Sequence, residues 1–545
     1  MKNKKVKEIF YDDVPSVDNI KDLVKHGVGK GQDKQLFIFH KDGVEHTKTF
    51  NDVWHDINCL GTYFYSIGLK DCHIALIGEN SYDWIAAYFA TILGKNVFVP
   101  LDPKLPPDEL SEQVVFGDCK ALIYSEMYSP AADEIKNAPG MTVERFICMS
   151  EFDDIIKEGE KLLESGDSSF TDVKVGPNDL ACIVFTSGTT GKSKGVMLSH
   201  GNLAADVVAS CQVLHGKNSV GFLPLNHTYS WVSTIFSAFI CIEYGYICSS
   251  FKNLLHDFQT YHPQNFSGVP LVVETIYKKV WKSAKKQGLD KGLKAAVVIS
   301  RLLMKFGIDK RRTIFKKIHD QLGGCLELIV CGGAAIDIEY EKGLYDLGIQ
   351  VLNGYGITEC SPAVTANRMN NFKFGSVGLP LPCNEIKIVD PDDDGVGEIY
   401  VKGSNVMVGY YKDPEETAKV FDGDWFKTGD YGRIDKDGFL FFVGRKKNLI
   451  VTKNGKNVSP EELEDKLMQR YHYIKEVIVS QSRNKIVAEF FLDTEEYPEC
   501  EDNLAHDVAE FNDNMPSWKR ITSFSIRDSE FPKTTTMKIR RKYKR

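Results

Sequence analysis

Ala181-Cys-Ile-Val-Phe-Thr-Ser-Gly-Thr-Thr-Gly-Lys-Ser-Lys-Gly-Val-Met-Leu198 places an apolar run on each side of a loop made of glycine, hydroxyl and lysine residues. Gly188, Gly191 and Gly195 let the backbone approach an anion closely, and the hydroxyls and exposed N–H groups of such a loop can bond phosphate oxygens. Lys192 and Lys194 add positive charge. Thr186, Ser187, Gly188, Thr189, Thr190, Gly191 and Lys194 are therefore candidate phosphate contacts. A plain Ser/Gly surface turn is the competing structural reading. A Walker A loop is excluded by its own spacing: GxxxxGK[ST] needs Gly five residues before Gly191, and Thr186 stands there. The GxGxxG of kinases is also missing from this stretch.

Outward from the loop, short apolar runs alternate with amphipathic ones. His73–Ile77, Val97–Val99, Ala121–Tyr124, Ser219–Leu223 and Leu326–Val330 read as buried strands. Thr49 precedes helical spacing through Trp54, Ile57, Leu60, Phe64 and Ile67, and Ser81 can cap a helix from Trp84 to Leu93. This alternation predicts an α/β protein with parallel-rich sheets flanked by helices. After about Gly397 the pattern shifts to short strands with turn residues, at Gly397–Val401 and Gly438–Val443. A helix follows from Pro460 to Gln469, with Pro in its first turn and acids behind it. The expected domains are 1–444 and a smaller α+β domain, 445–545, with the junction near Gly444 to Lys447.

Bulk properties narrow the class. With 545 residues the chain is too long for one compact core. A net charge of -8 argues against a general nucleic-acid binder. No apolar stretch reaches the roughly 18 residues of a spanning helix, and the charged start MKNKKVKEIFYDD lacks the apolar core of a secretory signal. Thirteen cysteines without CxxC pairs fit buried thiols in a reducing compartment, so a cytoplasmic protein is expected.

The segment TSGTTGKSKGVMLSH, from Thr186 to His200, resembles the signature loop of the adenylate-forming superfamily: acyl-CoA synthetases, adenylation domains of peptide synthetases and luciferases. Later segments agree with that resemblance in order. Cys331-Gly-Gly-Ala-Ala335 follows a strand, and its small residues leave room for a flat ring; the resemblance makes Gly333, Ala334 and Ala335 a border of adenine and of the acyl pocket. Asn353-Gly-Tyr-Gly-Ile-Thr-Glu-Cys360 resembles the most diagnostic motif. Asn353, Gly354, Tyr355 and Gly356 would contact the nucleotide, with Tyr355 as an aromatic face for adenine. Thr358 offers a hydroxyl to the α-phosphate, and Glu359 a hard oxygen ligand for Mg²⁺. Read alone, a Thr-Glu pair is more often a helix cap. Trp425-Phe-Lys-Thr-Gly-Asp430 matches the ribose-binding segment: the resemblance gives Asp430 the ribose hydroxyls, helped by Arg445. Pro532-Lys-Thr-Thr-Thr-Met-Lys538-Ile-Arg-Arg541 resembles the C-terminal lysine motif, with Lys538 the catalytic cation. Met537 departs from the Gly that many relatives carry before this lysine, and Lys533 and Lys542 are nearby decoys.

The resemblance implies an acyl-CoA synthetase/luciferase-like fold and two half-reactions. A carboxylate and ATP, with Mg²⁺, give acyl-adenylate and pyrophosphate, and a thiol then displaces AMP. It further implies a mobile C-terminal domain that swings Lys538 out between steps about a hinge at Lys447. Gly455 is then expected beside the pantetheine arm of coenzyme A. GRKKNLIVTKNGKNVSPEELE and Leu223-Pro-Leu-Asn-His-Thr-Tyr-Ser-Trp231 are most similar to long-chain fatty acyl-CoA synthetases, in which an indole four residues beyond the His corresponding to His227 gates the acyl tunnel. Trp231 falls at that position, and a place in the ordinary core is its alternative. A fatty acid and CoA are the expected substrates. The chain ends six residues after Met537-Lys-Ile, without an attached carrier domain, which favours free CoA while leaving a separate acyl carrier protein open as acceptor. A phosphotransferase releasing ADP, or a nucleotide sensor without turnover, would explain the loop but not Asp430, Arg445 and Lys538. Finally, 278–319 carries fourteen Lys or Arg against Asp290 and Asp309, interleaved with Trp281, Leu302, Leu303, Phe306 and Phe315. That composition suits either a solvated helical face or peripheral contact with an anionic membrane.

Overall fold

The structure is a computed structural model that describes residues 10–187, 193–241, 244–247, 251–451, 457–482, 485–533, 539 and 541. The chain groups into two units, Met1–Glu385 with Lys402–Asp424, and Ile386–Val401 with Trp425–Arg545.

The first unit contains two large sheets. One has seven strands, in the order Gly409–Tyr410, Ser193–Ser199, Leu180–Ser187, Val97–Pro100, His73–Ile77, Cys119–Tyr124, Arg145–Cys148. Its last five are parallel, and the first two run antiparallel to their neighbours. Ile74 to Ile77 are fully buried, as expected of a strand covered on both faces. Helix Tyr82–Ile92 begins where Ser81 accepts a hydrogen bond from Trp84 N, and Trp84, Tyr88 and Phe89 from this helix are buried. Helix Phe50–Ser66 starts with a capping box in which Thr49 and Asp52 satisfy each other's backbone N–H groups.

The second sheet orders Leu379–Pro380, Ala363–Ala366, Gln350–Gly356, Leu328–Cys331, Asn265–Gly268, Ser219–Gly221, Gly245–Ile247, Gln35–Lys41 and Val44–Thr49. The middle strands are parallel, and antiparallel pairs close both edges. Its apolar core includes Phe258, Phe266, Ile329, Leu344 and Val351.

In the second unit, strand Gly397–Gly403 pairs antiparallel with Trp425–Ile434, which pairs with Leu440–Arg445. This pairing draws 386–401 together with the C-terminal part, although composition changes more visibly near Arg445. A three-stranded sheet of Ile474–Ser482, Lys485–Leu492 and Ile521–Ile526 packs with helices Pro460–Arg470 and Cys500–Asp513 around Leu463, Val479, Phe490 and Leu504.

Candidate active site

Leu180–Ser187 and Ser193–Ser199 form an antiparallel hairpin in which Thr186 lies opposite Lys194. Gly188, Thr189, Thr190 and Gly191 fall outside the described residues. A Walker-type loop feeds a helix, whereas this chain returns as a strand, so the fold separates the two as the spacing does. Lys194 is ion-paired with Glu416 on helix Pro414–Val420, and its Nζ lies 4.9 Å over the Tyr410 ring. The Tyr410 hydroxyl donates to Glu359 Oε1 at 3.1 Å. A cation, an aromatic ring and a carboxylate thus stand in series, on elements far apart in sequence. The hydrogen bond from Lys194 holds the Glu416 carboxyl below its usual range. Burial first, then the Glu359 charge, push the Tyr410 phenol well above its usual value, so it stays protonated and keeps donating.

Glu359 sits in the single 3-10 turn Thr358–Cys360, directly after strand Gln350–Gly356. Gly356 is required there: an added Cβ would lie 2.2 Å from the Pro362 carbonyl oxygen. The returning segment is pinned by Asp206, a buried residue of helix His200–Val213 that accepts from Ala363 N at 3.0 Å and Asn405 Nδ2 at 2.9 Å. Burial raises the Asp206 carboxyl well above its ordinary value. Asn405 also donates to the Cys360 carbonyl at 2.8 Å, and Met407 N donates to the Glu359 carbonyl at 2.8 Å. The turn bearing Thr358 and Glu359 is therefore held from several sides.

The same strand borders a largely apolar cavity of about 170 Å³, whose wall includes Gly333, Gly354, Tyr355, Gly356, Tyr229 and Val232. Gly333 has φ +86°, a conformation that favours glycine, and leads into exposed Ala334 and Ala335. Asn353 and Tyr355 are buried. Neither His227 nor Trp231 is among the residues lining the cavity. Trp231 is fully buried, donates from Nε1 to the Leu225 carbonyl at 2.6 Å, and stacks on Tyr88 with centroids 5.0 Å apart. The indole expected to gate a tunnel thus occupies the aromatic core. Tyr229, two residues earlier, faces the cavity and donates to the Val330 carbonyl at 3.0 Å. Its phenol is pushed up by burial.

Within the second unit, Asp430 and Arg445 are cross-strand partners, with the Arg445 guanidinium 3.4 Å from the Asp430 carboxylate. Asp430 is nearly enclosed and Arg445 half exposed. Lys447 lies in the turn that follows, where Lys446 N donates to the Gly429 carbonyl at 2.8 Å. Gly455 and Lys538 fall outside the described residues. Of the two decoys, Lys533 is engaged with Glu476 at 2.5 Å and Glu530 at 2.8 Å, and Lys542 lies outside the described residues.

Among the described residues no group of three or more His, Cys, Asp or Glu is arranged to hold a metal. Glu359 alone suits Mg²⁺, which keeps most of its shell from water and phosphate oxygens and needs only one or two carboxylates. Sequence reading missed Tyr410, Glu416 and Tyr229. Tyr410 and Glu359 are 51 positions apart, and Lys194 and Glu416 are 222 apart, so local spacing carries no signal of either contact.

Comparison with known proteins follows the same segments. The AMP-binding enzyme family matches residues 24–411, and the AMP-binding enzyme C-terminal domain matches 447–544. Long-chain-fatty-acid--CoA ligase 6 of Homo sapiens is 32% identical over 458 residues, covering 76% of this chain and 65% of its own length. For its counterpart in Mus musculus, the chain spans 61% of the relative's length. Long-chain-fatty-acid--CoA ligase 1 of Saccharomyces cerevisiae is 28% identical over 551 residues, covering 89% and 77%. Among solved structures, the anthranilate CoA ligase AuaEII in complex with anthranoyl-AMP superposes with TM-score 0.78 at 19% identity, covering 97% of this chain and 96% of that one. The o-succinylbenzoate CoA synthetase (MenE) of Bacillus subtilis in complex with OSB-AMP gives 0.75 at 21%, covering 95% and 96%. These similarities show the acyl-CoA synthetase fold. With the AMP-binding model matching well over half of its length, this chain belongs to the AMP-binding enzyme family.

Proposed function

We propose that this protein is an AMP-forming acid–thiol ligase that converts a medium- or long-chain fatty acid to its CoA thioester. The observation that carries the reading is the continuity of strand Gln350–Gly356: its glycines and Tyr355 wall the apolar cavity, and the next turn presents Thr358 and Glu359. An alkyl chain in that cavity gains roughly 0.8 kcal/mol per buried CH₂, while its carboxylate stays near the polar turn.

In the first step a carboxylate oxygen attacks the α-phosphorus of ATP. The bond to the β-phosphate oxygen breaks, and pyrophosphate leaves. Two anions must meet, so the step needs fixed positive charge. Lys538 supplies it where the carboxylate approaches, and Thr358 donates to the α-phosphate. The 186–194 loop holds the remaining phosphates. Glu359, oriented by Tyr410, would hold Mg²⁺, which supplies charge neutralisation of the phosphate oxygens. Asp430 accepts from the ribose hydroxyls, with Arg445 fixing its orientation. In the second step the CoA thiolate attacks the acyl carbonyl carbon, the C–O bond to phosphate breaks, and AMP leaves. A hinge at Lys447 dividing 1–444 from 445–545 exchanges Lys538 for the pantetheine path beside Gly455.

The deciding experiment is an acid panel from acetate to palmitate plus aryl acids, scored for pyrophosphate release and for CoA thioester by mass. Acid-dependent AMP and pyrophosphate are expected, with thioester strongest for alkyl acids. ADP instead would mean phosphotransfer, binding without turnover a sensor, and adenylate without thioester a carrier-protein acceptor.

Membrane contact at 278–319 belongs to the same reading. Helix Asp290–Lys305 buries only Ser300 and exposes Val298, Leu302 and, just beyond it, Phe306 at 64, 55 and 75%. Among the described residues no helix is long and apolar enough to cross a membrane, so contact would be peripheral. Sedimentation with anionic vesicles at low salt checks it; protein left wholly in the supernatant contradicts it.

A further inference from the structure

The cavity has two unlike ends. Its floor is one face of the second sheet: Ser219, Asn265, Ser267, Leu328 and Val330 line it, while Val220, Phe266 and Ile329, which alternate with them, belong to the core on the other face. These strands are parallel, so they give the cavity a direction. Their carboxyl ends lead to 331–333 and, on the neighbouring strand, to Gly356 just before the Thr358–Cys360 turn. Their amino ends begin with Ser219, Asn265 and Leu328, which are register partners in one row across the sheet. Along strand Leu328–Cys331 the floor extends about 10 Å.

The amino end is polar. Asn265 Oδ1 accepts from Lys217 N at 2.7 Å, which ties the 214–218 loop to the sheet and leaves the amide NH₂ as the group Asn265 has to offer. The Tyr244 hydroxyl at the same end is already engaged: it accepts from Asn218 Nδ2 at 2.9 Å and donates to the Tyr261 carbonyl at 3.4 Å. Asn265 Nδ2, Ser219 Oγ and Lys217 Nζ have no hydrogen-bond partner among the described residues. Lys217 is exposed, and among the described residues lining the cavity it is the one that carries charge. Three donors, one of them cationic, therefore stand where an alkyl chain lying in the cavity would end. A methyl terminus gains nothing from them, and Lys217 accommodates it by laying its methylenes along the chain with the ammonium in water. An anionic terminus is matched both in sign and in hydrogen bonding.

We propose that Lys217, Asn265 and Ser219 form a distal carboxylate subsite, and that α,ω-dicarboxylic acids long enough to span the cavity are substrates alongside simple fatty acids. This rests on the ligase reading above. One carboxylate lies beside the Thr358–Glu359 turn, where it is activated; the other stays ionised at the amino-end rim, where no bond is made or broken. No acidic residue is among the described residues lining the cavity, so the second carboxylate meets no like charge there. Its contacts are the same in the ground state and the transition state, so they act on binding of the acid and not on the chemical step.

The test compares dodecanedioate with dodecanoate on the full-length protein and on Lys217→Met, which keeps an unbranched stem and removes the charge. Two readouts are taken: kcat/KM for CoA thioester formation and, without ATP or CoA, Kd by isothermal titration calorimetry. The unmutated protein is expected to bind dodecanedioate and form its mono-thioester. Lys217→Met should lower the dicarboxylate-to-monocarboxylate ratio about fivefold, through KM rather than kcat, and by less at high salt. Asn265→Asp keeps an acceptor for Lys217 N but replaces the donor with an anion, so it should lower the ratio further than Lys217→Met does. A ratio that neither variant moves overturns the proposal, as does dodecanedioate that the unmutated protein neither binds nor converts. Dodecanoate converted with an unmoved ratio spares the ligase reading and removes this one. A calorimetric ratio that falls as expected in a chain that never makes AMP does the reverse: the ligase reading fails and the distal carboxylate subsite stands.

Discussion

The turn around Glu359 and the cavity behind it share a strand but are built on opposite principles. At the turn, charge is answered by charge or by a directed donor: Lys194 by Glu416 and the Tyr410 ring, Glu359 by the Tyr410 hydroxyl. The cavity wall is largely apolar, and its Tyr229 hydroxyl is spent on the Val330 carbonyl. On the proposed function, the first arrangement serves any carboxylate that meets ATP, and the second decides which carboxylate arrives. Mutations on the two sides should therefore separate rate from selectivity.

The largest effect is expected from Lys538→Ala. On the proposed mechanism Lys538 supplies the positive charge that meets the attacking carboxylate, so its removal should lower adenylate formation by on the order of 10³-fold. Thioester formation from supplied acyl-adenylate should be nearly unchanged, and equal loss of both half-reactions would contradict the division of labour. Glu359→Gln keeps the shape of the turn but removes its charge. It should cost roughly 10- to 100-fold in the first step and shift the Mg²⁺ dependence. An unaltered metal dependence would place the ligand elsewhere.

On the apolar side, Trp231 and Tyr229 make a matched pair two residues apart. Trp231→Ala empties a fully buried site packed on Tyr88 and should destabilise the first unit by about 3 kcal/mol, leaving the relative chain-length profile unchanged. Tyr229→Ala opens the cavity itself, so it should shift preference toward longer or bulkier acids by several-fold at smaller cost in stability. A profile that moves with Trp231 rather than Tyr229 would restore the indole as gate. Thermal unfolding and the acid panel on both variants decide the matter.

This pair also shows how far the sequence can be read. Strands His73–Ile77 and Leu180–Ser187 and the helices capped by Thr49 and Ser81 were legible, because periodicity and capping act within a few residues. Motif resemblance assigns Asp430 and Arg445 to one ribose, but their cross-strand pairing is visible only in the fold. Which of Tyr229 and Trp231 faces the cavity was not legible. Trp231 opens a six-residue π-helix, Trp231–Phe236, whose wider turn changes the direction of each side chain relative to an α-helix. The Tyr410–Glu359 contact was hidden for a different reason, since a hydrogen bond from a strand of one sheet to a turn that follows a strand of the other leaves no periodic trace.

The smallest predicted effect tests whether the apolar side tolerates charge at all. Glu341, on helix Ile338–Asp346 just after the Gly332–Ala335 turn, is fully buried. Gly375 N donates to its Oε2 at 2.9 Å, and its Oε1 has no hydrogen-bond partner among the described residues. Burial raises its carboxyl from 4.5 to about 7, against the opposing pull of the Gly375 N–H and Lys342. The folded state therefore holds the proton more tightly than the unfolded one. Stability should be level below pH 4.5, fall as pH rises through about 7, and level off above. Glu341→Gln removes that slope. It should match the unmutated protein near pH 4.5 and exceed it by about 1–2 kcal/mol at pH 8, read from urea unfolding of the first unit. An equal gain at both pH values would trace the effect to packing. No gain at pH 8 would mean that the carboxylate, once ionised, finds a partner, and that the buried interior of the first unit answers charge as the Glu359 turn does.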